Sequence, residues 1–260
     1  MGREVPPSVV EITGDVDGSR ISFGPSDWLS FGPVAVTGVD FSASRIAHFI
    51  SSGTLFERCD FTNARFESGF FGIGLTPSVY RACTFRKADL RRMDLGLSRF
   101  ERCEFERTRI HDWAGDAAEF VGCRFATRIS RSRFAGRPWG GAWAERLAGT
   151  RSRNEFEGND FSESELVDVS FVYGIPIARQ KWPADAERYV RLDRYQERVR
   201  RAHAVISAWP DDEVRSEALL LLKVYSRNGF DEQEELFADR TAIGDSPGVL
   251  AAWHLLADAL

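Results

Sequence analysis

Four cysteines are the residues whose spacing bears most directly on chemistry. Cys59, Cys83, Cys103 and Cys123 are separated by 24, 20 and 20 residues. Zinc sites usually draw their cysteines from Cys-x-x-Cys pairs, and this chain contains none. A step of 20 residues instead indicates a structural period, in which each thiol packs as a small apolar group. A disulfide within the column and a metal or redox role are the alternatives.

Other patterns associated with catalysis are weak. The stretch GDSPG at 244–248 matches the Gly-x-Ser-x-Gly elbow of hydrolases, but that elbow follows a strand, and here a helix is expected before it. His111-Asp112 is the one immediate histidine–carboxylate pair, and adjacency in sequence does not aim one side chain at the other. The sequence has no phosphate-binding loop, dinucleotide glycine motif or metal-ligand cluster. We therefore expect a non-enzyme without cofactor or metal.

The elements that position the cysteines follow a period of five. Phe56, Phe61 and Phe66 are five apart, a spacing that fits neither a helix nor a strand. The same position is filled by Phe31, Val36, Phe41, Ile46, Phe71, and, one residue out of step, by Tyr80, Phe85, Leu90, Leu95, Phe100, Phe105, Ile110, Phe120 and Phe125. Two residues earlier stands a small side chain, among them Ala64, Ala88, Thr108, Ser164 and all four cysteines.

Two coupled columns of this kind predict a square coil. A five-residue unit that points two side chains inward forms one side, and four units close a turn of about 20 residues. Successive turns then stack at about 4.8 Å through backbone hydrogen bonds. The large residue fills the axis and the small one fits where the wall turns. Such a solenoid is stabilised by contacts between neighbouring turns, and its ends must be capped.

The stretches FERCDF, YRACTFRKADLRRMDL, SRFERCEF and NDFSESEL resemble the pentapeptide-repeat family, whose unit is often written A(D/N)LxX. The resemblance covers residues 31–173 and implies a right-handed quadrilateral β-helix of about six turns. Residues 1–30 are then an N-terminal cap, and residues 174–260 form a helical C-terminal domain. Stacking of Cys59 with the other cysteines requires that GIGLTPS, at 72–78, leaves the coil as a loop.

An aromatic and basic segment at 135–153 interrupts the repeat. It carries Arg137, Trp139, Trp143 and Arg146, residue types that dominate interface hot spots. We interpret these four residues as candidates for contact with a partner. The alternative is that both tryptophans fold back to cover an exposed strip of the coil.

Helical periodicity replaces the five-residue repeat after Ile177. Leu192, Tyr195, Val199, Ala202, Ile206 and Trp209 are spaced three and four apart, which predicts an amphipathic helix. A second helix is expected after Pro210, a third near Asp231 and a fourth after Pro247. These helices would cap the solenoid, and their apolar stripe could also pair two protomers as a homodimer.

Composition restricts the class of partner. The formal net charge is −5 and no segment approaches the length of a membrane span, so we expect neither nucleic-acid binding nor membrane association. No secretory signal is recognisable, and the unpaired thiols favour a cytoplasmic location.

Two functions follow from these features. The first is a non-enzymatic scaffold that mediates protein–protein interaction. The second is implied by the family resemblance: some members mimic DNA, bind type II topoisomerases such as DNA gyrase, and protect them from quinolones or peptide toxins. Mimicry requires an acidic surface, whereas residues 36–173 contain 20 basic and 19 acidic residues, and 81–109 are distinctly basic.

Overall fold

The chain folds into a four-sided β-solenoid followed by a helical region. The structure is a computed structural model that describes residues 8–18, 21–139, 145, 147, 151–210 and 212–257. Each turn of the solenoid, here called a coil, contributes short strands to faces one to four, named in chain order. Strands on a face pair in parallel with the same face of the next coil. The predicted quadrilateral β-helix of about six turns is confirmed.

Face one is the most regular sheet. It consists of β2 (Val16–Asp17), β4 (Ala35–Thr37), β7 (Leu55–Glu57), β10 (Ser78–Arg81), β12 (Ser98–Glu101), β16 (Glu119–Val121) and β19 (Phe156–Glu157). Face two has β13 (Glu104–Glu106) and β17 (Arg124–Ala126), extended by single bridges such as Asp40–Asp60.

Face three contains β5 (Arg45–Ile46), β8 (Arg65–Phe66) and β14 (Ile110–His111). Face four contains β1 (Val9–Ile12), β3 (Trp28–Phe31), β6 (His48–Ser51), β9 (Gly69–Phe70), β11 (Met93–Asp94) and β15 (Ala114–Gly115). The two long strands β18 (Arg128–Ala135) and β20 (Glu165–Val172) run across faces three and four.

The sequence forms this coil because every fifth side chain stacks on its counterpart in the next coil. On face two, seven rings form one column: Phe41, Phe61, Phe85, Phe105, Phe125, Phe161 and Trp182. Neighbouring centroids are between 4.6 and 5.3 Å apart, and the planes are within 8° of parallel. This spacing matches the distance between hydrogen-bonded strands, so ring stacking and backbone pairing reinforce each other.

Residues in the left-handed region make the corners of the square. Arg58 (φ 53°) and Arg102 (φ 52°) occupy the corner between faces one and two, where Gly122 (φ 62°) stands in the next coil. Aspartates assist the turn at the opposite end of face two: the carboxylate of Asp60 accepts a hydrogen bond from the backbone N–H of Thr62. Asp60 therefore has a local structural role in the coil.

The solenoid extends beyond the boundaries expected from the sequence. Strand β1 pairs with β3 in register, so residues 9–12 already belong to a coil. At the other end Asp160 pairs with Lys181, and Trp182 is the last ring of the face-two column. Residues 72–77 join β9 to β10 outside the regular strands and lengthen their coil to the 24 residues that separate Phe56 from its partner Tyr80.

The C-terminal region contains helices α1 (Tyr195–Ser207), α2 (Glu213–Tyr225) and α3 (Pro247–Ala257). Short 3₁₀ helices span Ile177–Arg179, Phe230–Glu232 and Arg240–Ala242. The helix predicted near Asp231 does not continue beyond one 3₁₀ turn. The chain instead forms strand β22 (Leu236–Asp239), antiparallel to β21 (Tyr189–Leu192). Its side chains alternate, since Phe237 is buried against the last coil while Leu236 and Ala238 are buried in the helical cluster.

The stripe predicted on the first helix is used within the chain. Leu192, Tyr195, Val199, Ala202 and Ile206 are buried in one cluster with residues of α2 and α3. No helix within the described residues is long and apolar enough to cross a membrane.

Candidate functional site

The inward columns predicted from the repeat fill the axis of the solenoid. Phe56, Phe61, Phe66, Phe85, Phe100, Phe105, Phe120 and Phe125 are at most 3% exposed. Two positions of the five-residue column hold a small residue, Ser51 and Gly115. There Phe49 and Trp113, two residues earlier, turn inward and supply the missing ring. The axis is therefore filled by buried, mostly aromatic side chains.

The four cysteines form a continuous buried ladder at the corner after face one. Each thiol donates a hydrogen bond to a backbone carbonyl of the preceding coil: Cys59 to Val36, Cys83 to Phe56, Cys103 to Tyr80 and Cys123 to Phe100, over 3.1 to 3.5 Å. All four are unbridged. Cys59 stands in this ladder, as expected if residues 72–77 leave the coil.

Contacts between thiols and burial raise the pKa of two cysteines of this ladder, Cys59 and Cys103. Removal of Cys103 from water raises its pKa well above the ordinary value, because the thiolate has no solvent to stabilise it. The pKa of Cys59 is raised by the thiol of Cys83 beside it and by burial. Both thiols are therefore protonated and poorly nucleophilic at neutral pH.

Two amides continue the ladder and were missed in the sequence. Asn159 donates from Nδ2 to the carbonyl of Phe120 over 2.8 Å, and Gln180 donates from Nε2 to the carbonyl of Phe156 over 3.1 Å. The oxygen of Gln180 accepts from the backbone N–H of Asn159. The interrupting segment separates these residues from the 20-residue period, which removes the spacing signal that identified the cysteines.

Two of the four candidate partner-contact residues lie at the junction of solenoid and helical region. The ring of Trp139 stacks on Tyr173 at 5.3 Å, with the guanidinium of Arg133 4.2 Å from the Trp139 centroid. Arg137 makes two hydrogen bonds to the carboxylate of Glu232. Trp139 thus packs against the chain itself, which is the alternative to partner contact given in the sequence analysis. Trp143 and Arg146 lie outside the described residues.

A cleft of about 610 Å³ opens beside this junction, lined by charged side chains that include Arg153, Glu234 and Glu235. Its Glu232 carboxylate is held by Arg137, which lowers the pKa of Glu232. A carboxylate fixed in this way is a poor general acid. Among the described residues that line the cleft there is no histidine or cysteine.

One histidine does meet a hydroxyl and a carboxylate. Nδ1 of His111 lies 2.8 Å from Oγ of Ser130, and its Nε2 lies 3.1 Å from Oδ2 of Asp112. Adjacency in sequence did not predict this contact between His111 and Asp112, which forms where Asp112 occupies a left-handed corner (φ 56°). Arg131 also binds Asp112, at 3.1 Å.

This serine, histidine and aspartate stand on an open sheet face. Ser130 pairs with His111 on one side and with Val167 on the other, so the backbone around it bonds to neighbouring coils. Nucleophilic catalysis also requires hydrogen-bond donors aimed at the developing oxyanion. Because the backbone around Ser130 is paired with both neighbouring coils, the arrangement fits surface hydrogen bonding better than an active site.

The GDSPG stretch likewise has no hydrolase context. Ser246 immediately precedes α3 and its carbonyl accepts a hydrogen bond from Leu250. The element before it is the 3₁₀ helix Arg240–Ala242. The nucleophile elbow needs a strand at that position.

Face four carries an exposed apolar patch, the face-four patch, formed by Val9, Trp28, His48, Ile50 and Phe70. Strand register places Val9, Trp28 and His48 side by side in successive coils, and Ile50 beside Phe70. The ring of Trp28 lies 4.7 Å from that of His48. Trp28 is 42% exposed and Phe70 38%. A flat, rigid sheet thus presents two aromatic side chains to solvent.

The five-residue period, the square coil and the buried stacks define the fold as a four-sided β-helix with a C-terminal helical region, the architecture expected from the resemblance to pentapeptide-repeat proteins. Among solved structures it is similar to full-length QnrB1, a plasmid-mediated fluoroquinolone resistance protein, with 14% identity over 68% of this chain and 92% of that chain and a TM-score of 0.26. It is also similar to HetL, a pentapeptide-repeat protein involved in heterocyst differentiation regulation from the cyanobacterium Nostoc sp. strain PCC 7120. That match has 11% identity, covers 68% of this chain and 88% of that chain, and has a TM-score of 0.20. No protein-family model and no curated protein sequence matches the chain. Likeness at this level carries no argument about function.

Proposed function

We propose that this protein is a non-enzymatic scaffold that binds a protein partner through face four. The face-four patch carries the proposal. Exposed aromatic side chains that adjoin apolar neighbours are typical of interaction sites, since each such contact releases water from a large surface. The solenoid holds Trp28 and Phe70 on strands paired with their neighbours, so binding would require little ordering of the backbone.

The segment at 135–153 is a second candidate contact. Arg137 and Trp139 are engaged within the chain, so a partner would have to compete with Tyr173 and Glu232 for them. Trp143 and Arg146 remain the residues of this segment for which partner contact is predicted. The buried helical stripe offers little for a homodimer, although α2 exposes Leu220 and Val224.

The DNA-mimicking, topoisomerase-binding function is the alternative, and it requires a continuous acidic strip. Acidic outward columns lie on faces one and two, and the one on face two contains Asp40, Asp60, Thr84, Glu104, Arg124, Asp160 and Lys181. Two cations and one neutral residue interrupt it. On face one the carboxylates are matched by cations, as where Arg99 binds Glu101 at 2.6 Å and Glu119 at 3.0 Å. The charge pattern therefore favours the scaffold over uniform mimicry.

Affinity capture with paired variants tests the scaffold function. The variant Trp28→Ser with Phe70→Ser removes the aromatic part of the patch, and the matched control, Leu220→Ser with Val224→Ser, removes exposed apolar groups on α2. We expect a protein captured by the wild type and the control, and lost with the face-four variant. If every captured protein binds all three baits equally, the scaffold function through face four is wrong. A gyrase supercoiling assay with added protein tests the alternative, because inhibition or protection from quinolone would select it.

A further inference from the structure

The corner between faces two and three carries a cationic groove. It lies on a different side of the solenoid from the face-four patch. The groove, here called the corner groove, has a volume of about 370 Å³ and is lined by Asn63, Arg65, Lys87, Asp89, Arg107 and Arg109. Asn63, Lys87 and Arg107 stand on the corner itself with φ between 50° and 58°. Arg65, Asp89 and Arg109 bridge from coil to coil on face three. The groove therefore has two walls, one at the corner and one on face three. Each of three successive coils contributes one residue to each wall.

Four cations share this groove with one carboxylate, and the carboxylate is already occupied. Asp89 accepts from Nη2 of Arg91 at 2.7 Å and lies 3.3 Å from Nη1 of Arg109. The hydrogen bond from Arg91 is the main reason that the pKa of Asp89 is lowered, so the carboxylate stays ionised. Within the part of the chain that the structure describes, Arg65, Lys87 and Arg107 have no carboxylate within ion-pair distance.

These cations are exposed and held in line. Neighbouring coils are about 5 Å apart, so the side chains of each wall follow one another at that interval. Beyond both ends of the wall on face three the same column continues with Arg45, which pairs with Glu67, and with Arg128, which pairs with Glu165. Residues 81–109 contain nine basic and five acidic residues, although the whole chain has a net charge of −5. The corner groove therefore lies in the part of the solenoid where basic residues are in excess, and Lys87, Arg107 and Arg109 are three of them.

We propose that the corner groove binds the phosphodiester backbone of a nucleic acid without reading its sequence. Three of its four cations are arginines, whose planar guanidinium groups pair with phosphate oxygens through two hydrogen bonds. None of the six lining residues is aromatic or aliphatic. Bases would find no stacking partner and a protein partner no apolar anchor, so a uniformly charged polyanion fits the groove better than an acidic protein surface.

The expectation of no nucleic-acid binding came from the net charge of −5. That value sums the cations of this corner with the acidic residues of the rest of the chain. Counterion release depends instead on the cations that contact phosphates. A groove that engages three phosphates should give a plot of log affinity against log salt with a slope of about −2.7. Binding would then weaken about 40-fold between 50 and 200 mM salt.

Fluorescence anisotropy with a labelled DNA duplex of random sequence, across this range of salt, measures that slope. The variant Lys87→Gln with Arg107→Gln should weaken binding at least tenfold at the lowest salt and make the slope shallower by about 2. The matched control is Arg58→Gln with Arg102→Gln, which removes the same charge from left-handed corner positions between faces one and two. It should bind within about twofold of the wild type once the general charge effect is included.

Three results would overturn the proposal. The first is a duplex affinity that does not respond to salt, or no binding at the lowest salt. The second is an equal loss in both double variants, which would assign binding to net charge. The third is competition by polyglutamate as strong as that by unlabelled duplex, which would indicate an acidic protein as the partner. Circular dichroism shows whether each variant keeps its fold. If the double variant does not fold, the slope is measured with Lys87→Gln alone.

Discussion

The ring of Phe85 stacks on the ring of Phe105 with centroids 5.1 Å apart and planes 4° from parallel, although 20 residues separate them in sequence. Phe105 in turn stacks on Phe125 at 4.8 Å. Each ring therefore contacts the coil on either side of its own. The stability of the solenoid should depend on these columns far more than on its outward side chains.

Phe105→Ala tests this dependence. Phe105 is fully buried between two rings, so its truncation should leave a cavity and lower the free energy of unfolding by about 3 to 5 kcal/mol. Urea denaturation monitored by circular dichroism gives the change. Glu104→Ala, on the same strand but outward, is the control and should stay within about 0.5 kcal/mol of the wild type. Equal losses for both variants would contradict a core built on the ring column.

Stability should decrease at alkaline pH. The pKa values of Cys103 and Tyr80 are raised mainly by burial, from ordinary values of 9.0 and 10.0. In the unfolded chain these groups lose their protons near the ordinary values, whereas in the folded chain they remain protonated. The contribution of Cys103 is thus lost as the pH rises above 9.0 and that of Tyr80 as it rises above 10.0, by up to about 1.4 kcal/mol per pH unit for each group.

The measurement is the urea midpoint between pH 7 and 10.5. Cys103→Ala removes one of the groups and should make the alkaline decrease shallower, whatever its effect at neutral pH. An unchanged slope in that variant would show that the Cys103 thiol is not shielded from water in the folded protein.

Phe237 should couple the helical region to the last coil. Its ring stacks on Trp182 at 4.2 Å and on Tyr189 at 5.4 Å, and it is 6% exposed. Phe237→Ala should lower the free energy of unfolding of the helical region by about 3 kcal/mol and let the helices melt before the solenoid. Thermal melting followed at a helix-sensitive wavelength should then show two transitions. Leu220→Ala, exposed on α2, should leave a single transition.

The contact between Arg137 and Glu232 should be visible by NMR. The guanidinium holds the pKa of Glu232 below its usual range, so this carboxylate favours folding above about pH 4.3 and that contribution is lost as the pH falls. Because both side chains are 38% exposed, the effect on stability should remain below about 1 kcal/mol. Arg137→Gln should move the carboxylate titration upward. An unchanged titration would mean that the ion pair does not form in solution.

The repeat was predictable because burial imposes one large and one small inward residue on each five-residue unit. The same rule hides exceptions: Phe49 and Trp113 turn inward only because Ser51 and Gly115 leave space two residues later. The contact between His111 and Ser130 could not be predicted, since those residues meet across coils after a one-residue shortening of the repeat. For the helical region, periodicity identified the stripe on α1 but could not show that Leu236 to Asp239 would form a strand on β21.

The sequence predicted the net charge of the solenoid but not the positions of the charged residues on its surface. Sequence counting gave a nearly neutral solenoid, which is correct as an average. The coil then sorts the charges, because residues one turn apart fall in one column. Arg65 and Arg109 become neighbours of the same carboxylate, Asp89.

The aromatic column that begins at Phe41 passes through Trp182 and ends on Phe237 in the helical region. Its length, about 30 Å, is set by the strand spacing. The protein can therefore act as a spacer of fixed length. Two molecules bound at its opposite ends would be held at a separation determined by the number of coils.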